Sequence, residues 1–250
     1  MTHHSTGFIL ASQPNFRDLG GIPSRTGQTV RPGLIFRSGD LFNLSPEDLI
    51  LLARLGLKTI VDFRSDREIA KRPDQEIATV RQYLHFPIED AAREKAMQLF
   101  NERNAAGLKD LLVEDYRRMV TDHTDAFRNF FSAIVNTDNL PLVFHCAAGK
   151  DRTGLAAWFL LAALDVPEEV IREEYLATNV FSKSFADKIV KKTSENGFNG
   201  EIIRPLLEVR DEYINAALEV ITVKFRGMKK FLEKVLQADI SKLQEIFLSK

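Results

Sequence analysis

The stretch Val143-Phe144-His145-Cys146-Ala147-Ala148-Gly149-Lys150-Asp151-Arg152-Thr153-Gly154 holds the residues best suited to chemistry, and Cys146 is the chain's one cysteine. Five residues separate Cys146 from Arg152, and Thr153 follows at once. An apolar run before the cysteine and a helix-like run after it predict a strand–loop–helix unit. A loop in that position offers backbone N–H groups and the positive end of a helix dipole to an anion. Ala147, Ala148 and Gly149 are small enough for the backbone to curl tightly. Arg152 can grip two anion oxygens in a fork. The same surroundings favour the thiolate form of Cys146.

Together these residues form an anion cradle with a sulfur nucleophile at its floor, and phosphate-ester hydrolysis is the leading reading. Cys146 attacks phosphorus in line and forms a phosphocysteine. Arg152 and the amides of residues 147–150, with Gly154 behind them, hold the equatorial oxygens. Thr153 can hydrogen-bond the sulfur as it leaves, and His145 orients the loop. A carboxylic acid must protonate the leaving oxygen and later activate water. Asp62, at a strand's carboxyl end, is one candidate, and Asp90 is another; Asp151 could hold Arg152 or Lys150 in place.

Alternative readings remain. A lone cysteine is commonly a small buried hydrophobe. A module that recognises phosphate without turnover would use the same cradle, and a sulfurtransferase also employs a loop cysteine. The nucleotide-binding pattern G-x-x-x-x-G-K-[ST] fails, because Asp151 follows Gly149-Lys150.

The elements that must position these groups alternate. Leu34–Arg37, Thr59–Phe63, Val80–Phe86 and Leu140–His145 read as strands. Ser45-Pro46-Glu47-Asp48 opens a helix, with Ser45 as cap and Pro46 at the first helical position. Ser65-Asp66-Arg67-Glu68 is a capping box for a short helix ending before Pro73. Helices are expected near residues 92–104, 107–121, 125–136, 153–164 and 167–178, and over most of 183–250. Ser194–Gly200 is the candidate mobile loop. The pattern predicts an α/β fold: a central, mostly parallel sheet of four to five strands flanked by helices, with a helical C-terminal part. No linker interrupts it, so one domain is expected over residues 1–250.

Apolar residues make up 44% and charged residues 28%, and the formal net charge is −1. That balance gives no support for nucleic-acid or membrane-surface binding, so any attraction of anions is local. The longest apolar run, residues 154–164, is about half of the roughly 20 needed to span a bilayer. Met1–Ser12 lacks the features of a secretory signal. A soluble, cytoplasmic chain without metal or cofactor is expected, and nothing in the sequence sets its oligomeric state.

The loop resembles that of the protein tyrosine phosphatase superfamily, and more narrowly that of bacterial tyrosine/serine and lipid phosphatases reading H-C-x-x-G-K-D-R-T-G. Asn15-Phe16-Arg17-Asp18-Leu19-Gly20-Gly21, Phe36-Arg37-Ser38, and Val61-Asp62-Phe63-Arg64-Ser65 with Glu68 extend the likeness. Glu174–Asn179 and Tyr213–Ala217 extend it downstream, so it covers residues 14–220. The resemblance implies metal-free phosphatase activity on phosphotyrosine, and also on phosphoserine, phosphothreonine or phosphoinositides. It implies that Lys150 meets extra ring phosphates and that Asp151 is a candidate proton donor. Arg17 and Arg64 are candidates for the mouth of the site, or for structural ion pairs. Residues 221–250 carry no such motif. Their Lys224, Arg226, Lys229, Lys230 and Lys234, interleaved with Phe225, Phe231 and Leu232, read as a solvated face over a packed stripe.

Overall fold

In a computed structural model, which describes residues 10–13, 15–89 and 93–249, five strands make one sheet. They are β1 (Arg17–Asp18), β2 (Ile35–Ser38), β3 (Thr59–Asp62), β4 (Gln82–His85) and β5 (Leu142–His145), in the order β1-β2-β5-β3-β4. Only β1 runs antiparallel to its neighbour. The helices are α1 (Pro46–Arg54), α2 (Asp66–Lys71), α3 (Arg93–Asn101), α4 (Ala105–Asp122), α5 (Thr124–Ile134), α6 (Asp151–Ala163), α7 (Glu168–Phe181) and α8 (Lys183–Glu195). Beyond them come α9 (Arg204–Leu207), α10 (Asp211–Phe225), α11 (Met228–Lys230) and α12 (Ile240–Phe247).

Alternation along the strands divides the core. Ile35, Val61, Leu142 and Phe144 face a thick helical layer, where Phe127, Phe130 and Phe159 also lie. Phe36, Ile60 and Val143 face the other way, onto Leu52 of α1 with Leu41 and Leu57. Covered on both faces, β5 is buried at every residue, as its continuous apolar run predicts. It lies between β2 and β3, so the loop after it emerges at the middle of the sheet's carboxyl edge. Helix α6 is apolar nearly all round and runs back through the core.

Local signals placed the termini of the helices near the site. The Ser45 hydroxyl accepts the Asp48 N–H at 3.1 Å, with Pro46 opening α1. The capping box of α2 is formed in both directions. Other expectations shift: β4 is shorter than Val80–Phe86, and α6 begins at Asp151, two residues before Thr153. Strand β1 has only two residues, too few for a period, and exists because it pairs with β2. In the segment Ser194–Gly200, residues 194–199 are exposed, while Gly200 is buried against α8 and its N–H donates to Ser194 Oγ at 3.2 Å. Phe231 and Leu232 are buried, as a packed stripe requires. Among the described residues, no helix is long and apolar enough to cross a membrane.

Candidate active site

Residues 146–150 form the loop between β5 and α6. Three of its carbonyls are tied outward to other elements. Ala147 O accepts the Asp40 N–H at 3.0 Å. Ala148 O accepts Asn15 Nδ2 at 2.9 Å, and Gly149 O accepts Asn15 Nδ2 at 3.0 Å and Arg37 Nη2 at 2.7 Å. In a trans peptide the next residue's N–H points opposite the carbonyl. Fixing these three carbonyls outward therefore turns the N–H groups of Ala148, Gly149 and Lys150 toward the inside of the loop, an arrangement suited to an anion. Gly149 makes the turn possible: its φ is +68°, and a Cβ would stand 2.3 Å from Ser38 O. Cys146 is buried at the floor of the loop, and α6 points its N-terminus at the same place.

Arg152, in the first turn of α6, is aimed by a residue from another element. Its Nη1 and Nη2 donate to the two Glu68 oxygens, each at 2.7 Å, and Nη1 also donates to Ile88 O at 3.1 Å. Glu68 is the acid of the α2 capping box, so its Oε2 also accepts the Ser65 N–H at 2.9 Å. Burial pushes the Glu68 carboxyl up, but the bonds and charge of Arg152 more than reverse this, and its pKa is lowered. The Thr153 hydroxyl is buried and, among the described residues, has no hydrogen-bond partner. Gly154 packs beneath the loop, where a Cβ would meet the Tyr175 ring at 3.2 Å.

The two loop residues with charge meet each other. Lys150 Nζ lies 2.8 and 2.7 Å from the two Asp151 oxygens, and Tyr116 OH donates to Asp151 Oδ1 at 2.8 Å. Both Lys150 and Asp151 border a cavity of about 370 Å³, together with Arg152. Met97, Phe100, Leu111, Leu112, Ile203 and Leu206 give this cavity apolar walls, and Glu89 and Asp115 add carboxylates.

Asp62 and Arg64 are brought together in a separate buried cluster. Arg64 Nε and Nη2 donate to Asp62 Oδ2 at 2.9 and 2.7 Å, and the Tyr83 hydroxyl donates to the same oxygen. His145 Nε2 lies 3.0 Å from Asp74, which Arg64 also reaches at 2.9 Å. Burial raises Asp62, but His145 and Arg64 overcome it and hold the group at about 2. Burial lowers His145, but Asp74 and Asp62 outweigh it and lift the imidazole to about 9. Asp62 is thus a fully buried carboxylate enclosed by Arg64, Tyr83 and His145, and unlike Asp151 it does not border the cavity. Asp62, Asp74 and His145 have the spacing of a metal site, yet Arg64 already supplies a cation to both carboxylates. Arg17 is buried on Glu174 and is joined to the loop through Asn15. Asp90 lies outside the described residues.

A family model described as "Tyrosine phosphatase family" matches residues 9–249. The chain belongs to the tyrosine phosphatase family. A protein of Cupriavidus necator provisionally named a tyrosine-protein phosphatase is 33% identical over 98% of this chain and 89% of its own length. The triple specificity protein phosphatase PtpB of Mycobacterium tuberculosis is 27% identical over 94% of this chain and 96% of its own. Among solved structures, Pseudomonas aeruginosa TpbA in complex with phosphotyrosine is similar at a TM-score of 0.40, 15% identical, covering 87% of this chain and 88% of that one. The protein is accordingly a phosphatase of the tyrosine family.

Several residues that shape this phosphatase's loop carry little sequence signal of their role. Glu68 was legible as a capping acid, but nothing local to it names Arg152, 84 positions away, as its partner. Asn15, Arg37 and Glu174 fall in the family-like segments, yet their union behind the loop is tertiary. Asp74 and Tyr116 have no local signature at all.

Proposed function

We propose that this phosphatase works through a covalent phosphocysteine on Cys146, with phosphotyrosine in proteins as its foremost substrate. The observation that carries this is the outward fixation of three consecutive loop carbonyls, which turns three N–H groups inward above the one cysteine of the chain. The Cys146 thiolate attacks phosphorus and the bond to the leaving oxygen breaks. Asp151 donates its proton to that oxygen, and Lys150 and Tyr116 are placed to hold the carboxylate that results. In the second step Asp151 takes a proton from water, which attacks phosphorus and releases the sulfur. The buried Thr153 hydroxyl is a suitable donor to the departing thiolate. Arg152, oriented by Glu68, grips the equatorial oxygens in both steps. The chain's own residues supply every role, so no cofactor enters.

The apolar walls beside Asp151 suit an aromatic ring better than a polar headgroup. Phosphoserine and phosphothreonine, with shorter arms, are secondary substrates. A phosphoinositide reading rests on Lys150, which borders the cavity; there a ring phosphate would have to compete with Asp151 for the ammonium. Phosphotyrosine, phosphoserine and phosphoinositide substrates assayed with chelator present test the whole reading. Turnover of phosphotyrosine lost in Cys146→Ser, with binding kept, is expected; wild type that binds phosphopeptide without turnover refutes it. Asp151→Asn should lower kcat for poor leaving groups far more than for good ones. A larger leaving-group-dependent loss in Asp62→Asn would overturn the choice of acid.

A further inference from the structure

The charged groups bonded to the loop or its flanks mostly balance. Lys150 pairs with Asp151, Arg152 with Glu68, and Arg72 with Asp40. His145 and Arg64 face Asp62 and Asp74. Behind the loop, where β1, β2 and α7 meet, two guanidiniums share one carboxylate. Arg17 Nε and Arg37 Nη1 each lie 2.7 Å from a different oxygen of Glu174. All three are buried, with side chains 1%, 0% and 7% exposed. Burial and the neighbouring Arg37 pull Arg17 down to about 10, which still leaves it charged at neutral pH. The buried acid of β1, Asp18, is turned to the N–H groups of Gly20 and Gly33.

This excess charge is wired into the cradle. Arg37 Nη2 donates to Gly149 O at 2.7 Å. Arg17 Nη1 donates to Asn15 Oδ1 at 2.5 Å, and Asn15 passes its own amide to Ala148 O and Gly149 O. A cation bonded to a carbonyl polarises that peptide, so the N–H on its far side becomes a stronger donor. An unmatched buried cation is costly unless an anion lies close by. Here the nearest place built for an anion is the loop on the other side of these peptides.

We propose that Arg17, Arg37 and Glu174 form a charged pedestal whose surplus positive charge stabilises the anion in the loop, first the Cys146 thiolate and then the phosphoryl group. The two arginines are positioning residues, because they reach loop carbonyls and Asn15 rather than phosphate. The proposal rests on the Cys146 reading above, but its test does not need turnover.

Because Cys146 is the one cysteine, alkylation by iodoacetamide across pH reads its titration alone. Inorganic phosphate binding, measured by calorimetry, reads the cradle. A unit charge felt across a protein interior of effective dielectric about 20 shifts a midpoint by about half to one pH unit. Glu174→Gln, which removes the compensating charge, should lower the alkylation midpoint by that amount and tighten phosphate. Arg37→Met should raise the midpoint and weaken phosphate several-fold. Arg37→Lys keeps the charge without the fork and should leave the midpoint near wild type; it keeps the test decisive if Arg37→Met does not fold. A purely structural role predicts that all three variants weaken phosphate and move the midpoint the same way, and that result overturns the proposal. So does an unchanged midpoint in folded Glu174→Gln. Failure of the phosphocysteine reading would show differently, as wild-type protein with a lowered midpoint and phosphate binding but no phosphatase turnover.

Discussion

Replacing Glu68 with glutamine separates the aiming of Arg152 from the stability of α2. Glutamine can still accept the Ser65 N–H, so the capping box survives in neutral form. What it cannot do is accept from both guanidinium nitrogens, now bonded at 2.7 Å each with the pair only 12% exposed. One charge-assisted bond is lost, a contribution of about 1.5–3 kcal/mol. If that energy orients Arg152 for the transition state, kcat/KM falls about 10- to 150-fold. Steady-state assay on a phosphotyrosine peptide, with circular dichroism for fold, measures it. The control is Ser65→Ala, which removes the cap at about 1 kcal/mol of stability but leaves the Glu68 carboxylate on Arg152. Activity of Glu68→Gln within about twofold of wild type, or no lower than that of Ser65→Ala, refutes the aiming role. The pH sign agrees: the Glu68 pKa lies below its ordinary value of 4.5, so the pairing is intact above that value and is lost as pH falls below it.

Three further outcomes are expected. Asp62→Asn leaves Arg64 without its fork partner and should cost about 3–5 kcal/mol in denaturant unfolding; in wild type this contribution is present above pH 3.8 and disappears as pH falls toward about 2. His145 is raised from 6.5 to about 9, so its share of stability is whole below pH 6.5 and is lost as pH rises through 9; melting curves between pH 6 and 10 should slope downward in wild type and flatten in His145→Asn. Gly149→Ala drives a Cβ to 2.3 Å from Ser38 O at a φ of +68°, so calorimetry should find phosphate binding lost; wild-type affinity would contradict the geometry.

The cradle was legible because its parts are contiguous. Strand, small-residue turn, Arg152 and helix occupy one short run, and period, capping and glycine all act over a few residues. The same short range explains why α1 and α2 were readable from Ser45 and Ser65, and why two-residue β1 was not. Asp62 and Asp151 were both acid candidates in the sequence, each within two residues of an arginine. Folding separated them: Asp62 is enclosed with Arg64 and His145, while Asp151 stands at the cavity between Lys150 and Tyr116.

The sequence by itself determined that Cys146 sits between a buried strand and a buried helix, with Arg152 six residues on at the helix start. Only the tertiary structure decided what holds them there. Glu68 reaches Arg152 across 84 residues and Glu174 reaches Arg17 across 157. Buried charges choose partners by proximity in the desolvated interior, where an unpaired ion is penalised most, and no local pattern records which distant group will be near.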